Sequence, residues 1–172
     1  MVAGMFILAL FAGIVGSSLV RGMLIIREEQ FRMSDYVNHV VVCGYDENTH
    51  LILDALDQEL NLEKTRVVLF DLRERPRNVP PSFLWVQGDP TKESELDKVR
   101  LTHAAAVVVA GARDSTPQAA DAHTILVTFT IRAYLDRHRE EIRDRRSRLY
   151  MVVEILDSEN VGHARMAGAD EV

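Results

Sequence analysis

Apolar residues are distributed in two different ways along this 172-residue chain. From Met1 to Val20 no charged residue occurs, and the run is close to the ~20 residues that a helix needs to cross the hydrocarbon core of a bilayer. It predicts a transmembrane helix. A secretory signal would carry positive charge ahead of its apolar stretch, and none is present; the arginines come afterwards, at Arg21, Arg27 and Arg32. That asymmetry predicts a cell-membrane protein with the residues after about 21 in the cytoplasm. Small residues Ala9, Gly13, Gly16 and Ser17 fall on one helical face, where a second helix can approach closely. Gly13 is the candidate bending point, because glycine weakens a helix interior. Residues 21–38 keep helical spacing while gaining charge, as a rigid linker would.

From residue 39 onward the pattern is that of alternating strands and helices. His39 to Gly44 is a short β-branched run ending at glycine, which predicts a fully buried parallel strand. Leu51, Ile52, Ala55, Leu56 and Leu60 then predict one apolar stripe on a helix over residues 48–60. Further strands are expected at 66–70, closing on Asp71, and at 83–86, 104–110 and 149–156. Helices are expected at 92–99, 117–135 and 161–167. Ser115 or Thr116 can cap the 117–135 helix, and Pro117 suits its first turn. The stretch 136–148 has hardly any apolar residue and reads as a solvated extension and loop. Gly168 turns the chain toward one more strand at Val172, so the natural chain is expected to continue. The fold class is α/β: a Rossmann-like, doubly wound parallel sheet preceded by one transmembrane helix.

Composition narrows the partners. A net charge of -6 argues against nucleic acid, since phosphate contacts need a surplus of Lys and Arg on one face. Cys43 is the single cysteine, so no internal disulfide is possible and no oxidising compartment is required.

Candidate chemistry gathers after the strands. A dinucleotide fingerprint would read Gly-x-Gly-x-x-Gly after the first strand, and here the residues are Gly44, Tyr45, Asp46, Glu47, Asn48 and Thr49. Only the first glycine is kept. Asp46 puts a carboxylate where a phosphate would sit, which works against full NAD binding. Asp71, followed by Leu72 and Arg73, is placed to accept hydrogen bonds from ribose hydroxyls, which favours an adenine nucleotide. Gly88 and Asp89 form the turn after the third strand, and Gly111, between Ala110 and Ala112, ends the fourth. Catalysis finds no support. His50, His103, His123, His138 and His163 are scattered and read as surface or interface residues, and no nucleophile elbow or hydrolase-type metal spacing occurs. The chain is expected not to be an enzyme.

Taken in order, His39-Val40-Val41-Val42-Cys43-Gly44-Tyr45, Gly88-Asp89-Pro90-Thr91, Asp121-Ala122-His123-Thr124-Ile125-Leu126 and Arg165-Met166-Ala167-Gly168-Ala169-Asp170-Glu171-Val172 resemble the RCK domain, the regulator of potassium conductance of prokaryotic potassium channels. Ile26 to Gln30 looks like the linker between such a channel's inner helix and its regulatory domain. The resemblance implies three parts: an inner pore helix over 1–20 with Gly13 as hinge, a linker over 21–38, and an N-terminal RCK domain over 39–172. It also implies a K+ channel subunit in the lipid bilayer, assembled as a homotetramer or within an octameric gating ring, whose ligand shifts the gate by its difference in affinity between closed and open rings. In calcium-gated relatives, carboxylates near the glycine-aspartate turn and on a late strand bind Ca2+, and Asp89 and Glu154 match two such positions. Leu156 stands where a second late-strand glutamate is expected. The alternative is a nucleotide-binding regulatory subunit of a potassium transporter or antiporter, which would lack the attached pore helix. A membrane-anchored oxidoreductase would need the missing glycines.

Overall fold

A computed structural model describes residues 36–46, 49–59, 65–111, 115–142 and 148–172. The expected membrane helix over 1–20, the Gly13 hinge and the linker up to residue 35 lie outside the described residues, as do Glu47, Asn48 and Ala112. Among the described residues no helix is long and apolar enough to cross a membrane. Tyr36–Val172 forms one compact unit.

Five parallel strands make the sheet of this unit: β1 (Val40–Cys43), β2 (Val67–Asp71), β3 (Leu84–Gln87), β4 (Ala106–Val109) and β5 (Tyr150–Val153). Their spatial order is β3-β2-β1-β4-β5. The chain therefore winds outward from β1 through β2 and β3, then crosses back to place β4 on the other side of β1. Such a reversal opens a crevice at the carboxyl ends of β1 and β4. Every residue of β1 and β2 is buried, as the continuous Val, Leu and Phe runs of central parallel strands require, whereas β3 and β5 are partly open. Register pairs Val40 with Val67 and Val42 with Leu69, so these four side chains share one face. There they join Tyr45, Leu53, Val79 and Phe83 in a hydrophobic cluster. Fully burying one such side chain contributes about 1.5–3 kcal/mol.

Helices α1 (Thr49–Glu59), α2 (Glu93–Leu96), α3 (Pro117–Arg137) and α4 (Val161–Ala167) connect and flank the strands. α1 corrects the expected stripe. Leu53 is buried and Leu56 packs on the core cluster, while Leu51 is 60% exposed and Ala55 is also exposed. Apolar residues are so dense in this segment that spacing alone leaves the helix's rotation open. α2 is shorter than expected, because the chain tightens into a 3-10 turn at Asp97–Val99 and is then stopped by Arg100 in the left-handed region at φ 45°. α3 starts as expected: the Thr116 hydroxyl accepts from the Ala119 amide at 3.3 Å, and Pro117 follows. α4 ends at Gly168, whose φ of 113° suits only glycine. The chain then returns beside β5, where Glu171 bridges Val152 in parallel.

Two buried polar residues tie these layers together. His39 is fully buried at the entry to β1, with Nε2 2.9 Å from the Val99 carbonyl. Asp121, 1% exposed on α3, accepts from the amides of Leu156 (2.8 Å) and Asp157 (3.0 Å) and from Asn160 Nδ2 (2.8 Å). It fastens α3 to the segment between β5 and α4. Cys43, at the end of β1, is enclosed; burial, with the charge of Asp71 as a smaller cause, pushes its thiol up to about 12. It stays protonated at neutral pH.

Candidate functional site

The crevice begins at Gly44, which leaves β1 with φ 87° and donates its amide to the Phe70 carbonyl at 3.0 Å. A Cβ here would come within 2.9 Å of the Ala110 carbonyl oxygen, so neither the conformation nor the space admits a side chain. The Tyr45 amide donates to Asp71 Oδ2 at 2.8 Å. The Tyr45 ring turns away into the core, edge-on to Trp85 with centroids 5.5 Å apart, so this residue meets the crevice mainly through its backbone.

Asp46 and Thr49 close the turn on each other. Asp46 Oδ1 accepts from the Thr49 amide at 2.8 Å and from its hydroxyl at 2.9 Å, and the Asp46 amide donates to Thr49 Oγ1 at 2.8 Å. This is a reciprocal cap on the start of α1, with the carboxylate at the positive end of the helix.

Asp71 closes β2 and is 7% exposed. Arg73 doubles back onto it: Oδ1 accepts from Arg73 N (2.8 Å) and Nε (3.0 Å), and Oδ2 from Nη2 (3.2 Å). The Leu72-Arg73 loop is held from β3, since Gln87 Nε2 donates to the Leu72 carbonyl and Trp85 Nε1 to the Arg73 carbonyl. Asp89 behaves as a turn cap. Its Oδ1 accepts from the Thr91 amide (3.0 Å) and hydroxyl (2.6 Å), and its Oδ2 pairs with Lys92 at 3.1 Å. Burial opposes ionisation of Asp89, but these bonds and the Lys92 charge outweigh it and hold its carboxyl below the ordinary range. Across the crevice, the Gly111 amide donates to Glu154 Oε2 at 3.0 Å.

Gly44, Tyr45, Asp71, Leu72, Arg73, Asp89 and Gly111 thus line one cavity of about 280 Å³. The structure adds Pro90, Ala110 and His123 to its walls. His123 is exposed, as its expected place on the surface requires, and also borders the cavity. Its place on the early turns of α3, directly after β4 and the Gly111 turn, was the only available signal. Gly88 is not on the wall; it lies under the crevice against Phe70. A Cβ at Gly88 would run into the Phe70 ring at Cε2 and come within 2.9 Å of Glu95 Oε2. Gly88→Ala is therefore expected to overpack the core by about 1–3 kcal/mol, read as a lower urea midpoint.

The structure leaves Asp89 and Glu154, the expected metal pair, engaged elsewhere, on Thr91 and Lys92 and on Gly111 respectively. Among the described residues no group of three or more His, Cys, Asp or Glu is arranged to hold a metal ion. A hard cation, which needs several oxygen ligands, would have to displace these bonds. A larger groove of about 830 Å³ runs between α3 and α4, bordered by Phe129 and Met166, which are 61% and 79% exposed. It lies away from the carboxyl ends of the strands, whereas the smaller cavity sits at the carboxyl ends of β1 and β4, where doubly wound folds place their ligands.

The family model described as "Calcium-activated potassium channel slowpoke-like RCK domain" matches residues 35–153. The chain belongs to the RCK family. Among curated proteins, the calcium-gated potassium channel TvoK of Thermoplasma volcanium is 28% identical over 142 residues, covering 78% of this chain and 36% of the relative. Among solved structures, GsuK bound to ADP superposes with a TM-score of 0.56 at 18% identity, over 80% of this chain and 31% of that one. The human SLO3 gating ring gives 0.52 at 19% identity, over 78% and 23%. This RCK chain spans about a third of the length of the curated relative it matches.

Proposed function

We propose that this RCK chain is the sensing part of a ligand-gated potassium channel subunit, with an adenine-bearing ligand in the crevice between β1 and β4 and no enzymatic activity. One observation carries the reading. The cavity walls come from four separate segments: the turn after β1, the loop after β2, the turn after β3 and the Gly111 strand end facing α3. A ligand that bridges them has unequal affinity for two arrangements of those segments, which is what coupling to a gate requires. Related proteins named as calcium-gated or as bound to ADP support the two ligand classes, Ca2+ and adenine nucleotide.

In this reading the first twenty residues are an inner pore helix in the cell membrane, and the chain after about residue 21 is cytoplasmic. Copies associate as a homotetramer within a gating ring, and the ion carried is K+. Leu126, Phe129 and Met166 leave apolar surface on α3 and α4 that suits contact between protein surfaces. Light scattering of the full chain in mild detergent is expected to report four or more copies. A monomer at high concentration, across calcium and adenine-nucleotide conditions, would refute the ring.

A further inference from the structure

The polar side chains on the walls of the small cavity differ in how far they are already committed. Asp71 accepts from the Tyr45 and Arg73 amides and from the Arg73 guanidinium, and Asp89 from Thr91 and Lys92. The Tyr45 ring is packed into the core. His123 is the exception. Among the described residues its imidazole takes part in no hydrogen bond, ion pair or ring contact, although it stands on the cavity wall and is exposed.

Charge directs what this side chain can receive. The carboxylates of the wall stand on the chain after β2 and β3, each beside a cation: Asp71 with Arg73 at 3.0 Å and Asp89 with Lys92 at 3.1 Å. The wall after β4 consists of Ala110, Gly111 and, on the second turn of α3, His123. Glu154 accepts from the Gly111 amide and does not line the cavity; Asp121, two residues before His123, is buried and bonded to the segment after β5. With the two ion pairs of the wall each neutral in sum, the imidazole decides whether this wall is neutral or positive toward an occupant. Protonation gives it a second N–H donor together with the charge. An acidic group on the occupant fits that wall best. The cavity, about 280 Å³, is at the lower end of the range for small-molecule sites, so it suits a mononucleotide better than a dinucleotide.

We propose that His123 is the specificity-determining side chain of this crevice: its imidazole receives the phosphate of an adenine mononucleotide, more strongly in acid than in alkaline solution. The inference rests on reading the crevice as an adenine-ligand site. It goes further by naming the residue that tells a nucleotide from its nucleoside and by coupling occupancy to proton concentration.

Calorimetric titration of the full chain in mild detergent, with EDTA present and at low salt, compares adenosine with adenosine monophosphate near pH 8 and near pH 6, an interval in which imidazoles change charge. His123→Gln keeps a donor and an acceptor but takes no charge, so its change in preference between the two conditions reports the phosphate's own ionisation alone. Relative to that variant, the wild-type preference for the monophosphate is expected to grow by about threefold to tenfold on acidification, between the strength of an exposed ion pair and that of a charge-assisted hydrogen bond. His123→Lys carries its charge in both conditions and is expected to favour the monophosphate in both. The position is exposed, so thermal melts of both variants are expected to stay close to wild type. A wild-type preference that tracks His123→Gln in both conditions refutes the role of His123 and leaves the adenine reading standing. Binding of neither compound at millimolar concentration overturns the adenine reading and this inference together.

Discussion

Asp121→Ala is expected to destabilise the domain by about 3 kcal/mol or more, enough to consume a large part of the margin of an ordinary domain. The reason is the asymmetry of buried hydrogen bonding. The carboxylate is 1% exposed and takes the amides of Leu156 and Asp157 and the side-chain amide of Asn160, so its removal strands three donors. It also predicts an acid limb. Burial by itself would raise the pKa of Asp121, but the bonds from Leu156, Asn160 and Asp157 outweigh it, and the folded value lies below the ordinary one. Its stabilisation is then fully present above the unfolded pKa, about 3.9, and disappears as pH falls through the lower folded value. Urea titrations at neutral pH and near pH 3 should show the wild-type midpoint falling more than that of Asp121→Asn. Equal midpoints for wild type and Asp121→Ala at neutral pH would mean that the clasp is not a stabilising element.

The second large effect is expected on binding. Asp71→Asn should weaken adenosine binding by about 10–100-fold, because two charge-assisted hydrogen bonds become one neutral acceptor and one donor of the wrong polarity. The same change puts an NH2 group among the donors Tyr45 N, Arg73 N and the guanidinium, so some loosening of the turn after β1 accompanies it. Arg73→Ala separates the two causes. It leaves the carboxylate and its backbone anchors in place while removing the guanidinium that competes with the ligand's hydroxyls for that carboxylate, so adenosine affinity should rise. A fall in affinity for Arg73→Ala would show that Arg73 holds the ligand directly and that the ion pair is not its competitor.

What could be read from the sequence was chemistry that acts over a few residues. The valine run of β1, the glycine that must leave it, the acid ending β2 and the Thr116-Pro117 start of α3 each depend on local backbone demands, and each stands where expected. The rotation of α1 was not legible, because Leu51, Ile52, Leu53, Ala55 and Leu56 offer several equally apolar faces. Only the packing of Leu53 against the sheet selects one. Nor was the commitment of the carboxylates legible. Asp46 satisfies its own helix, Asp89 its own turn and Glu154 the Gly111 amide, and the last of these joins residues 43 positions apart. Spacing along the chain shows which acids follow the strands, but not which are already engaged by their neighbours. His123 is exposed, as expected of a surface residue; that it also borders the crevice comes from where α3 crosses the strand ends, and a single histidine carries no sign of that.

The enclosed thiol of Cys43 has a practical consequence. With its proton held to about pH 12 and no exposed surface of note, it is silent toward alkylating and disulfide reagents while the central strand stays paired. A reagent in solution can reach it only after β1 has parted from its neighbours. The rate at which the single thiol is labelled therefore clocks the opening of the sheet's midline, and a bound occupant of the crevice beside it should slow that clock without touching the thiol at all.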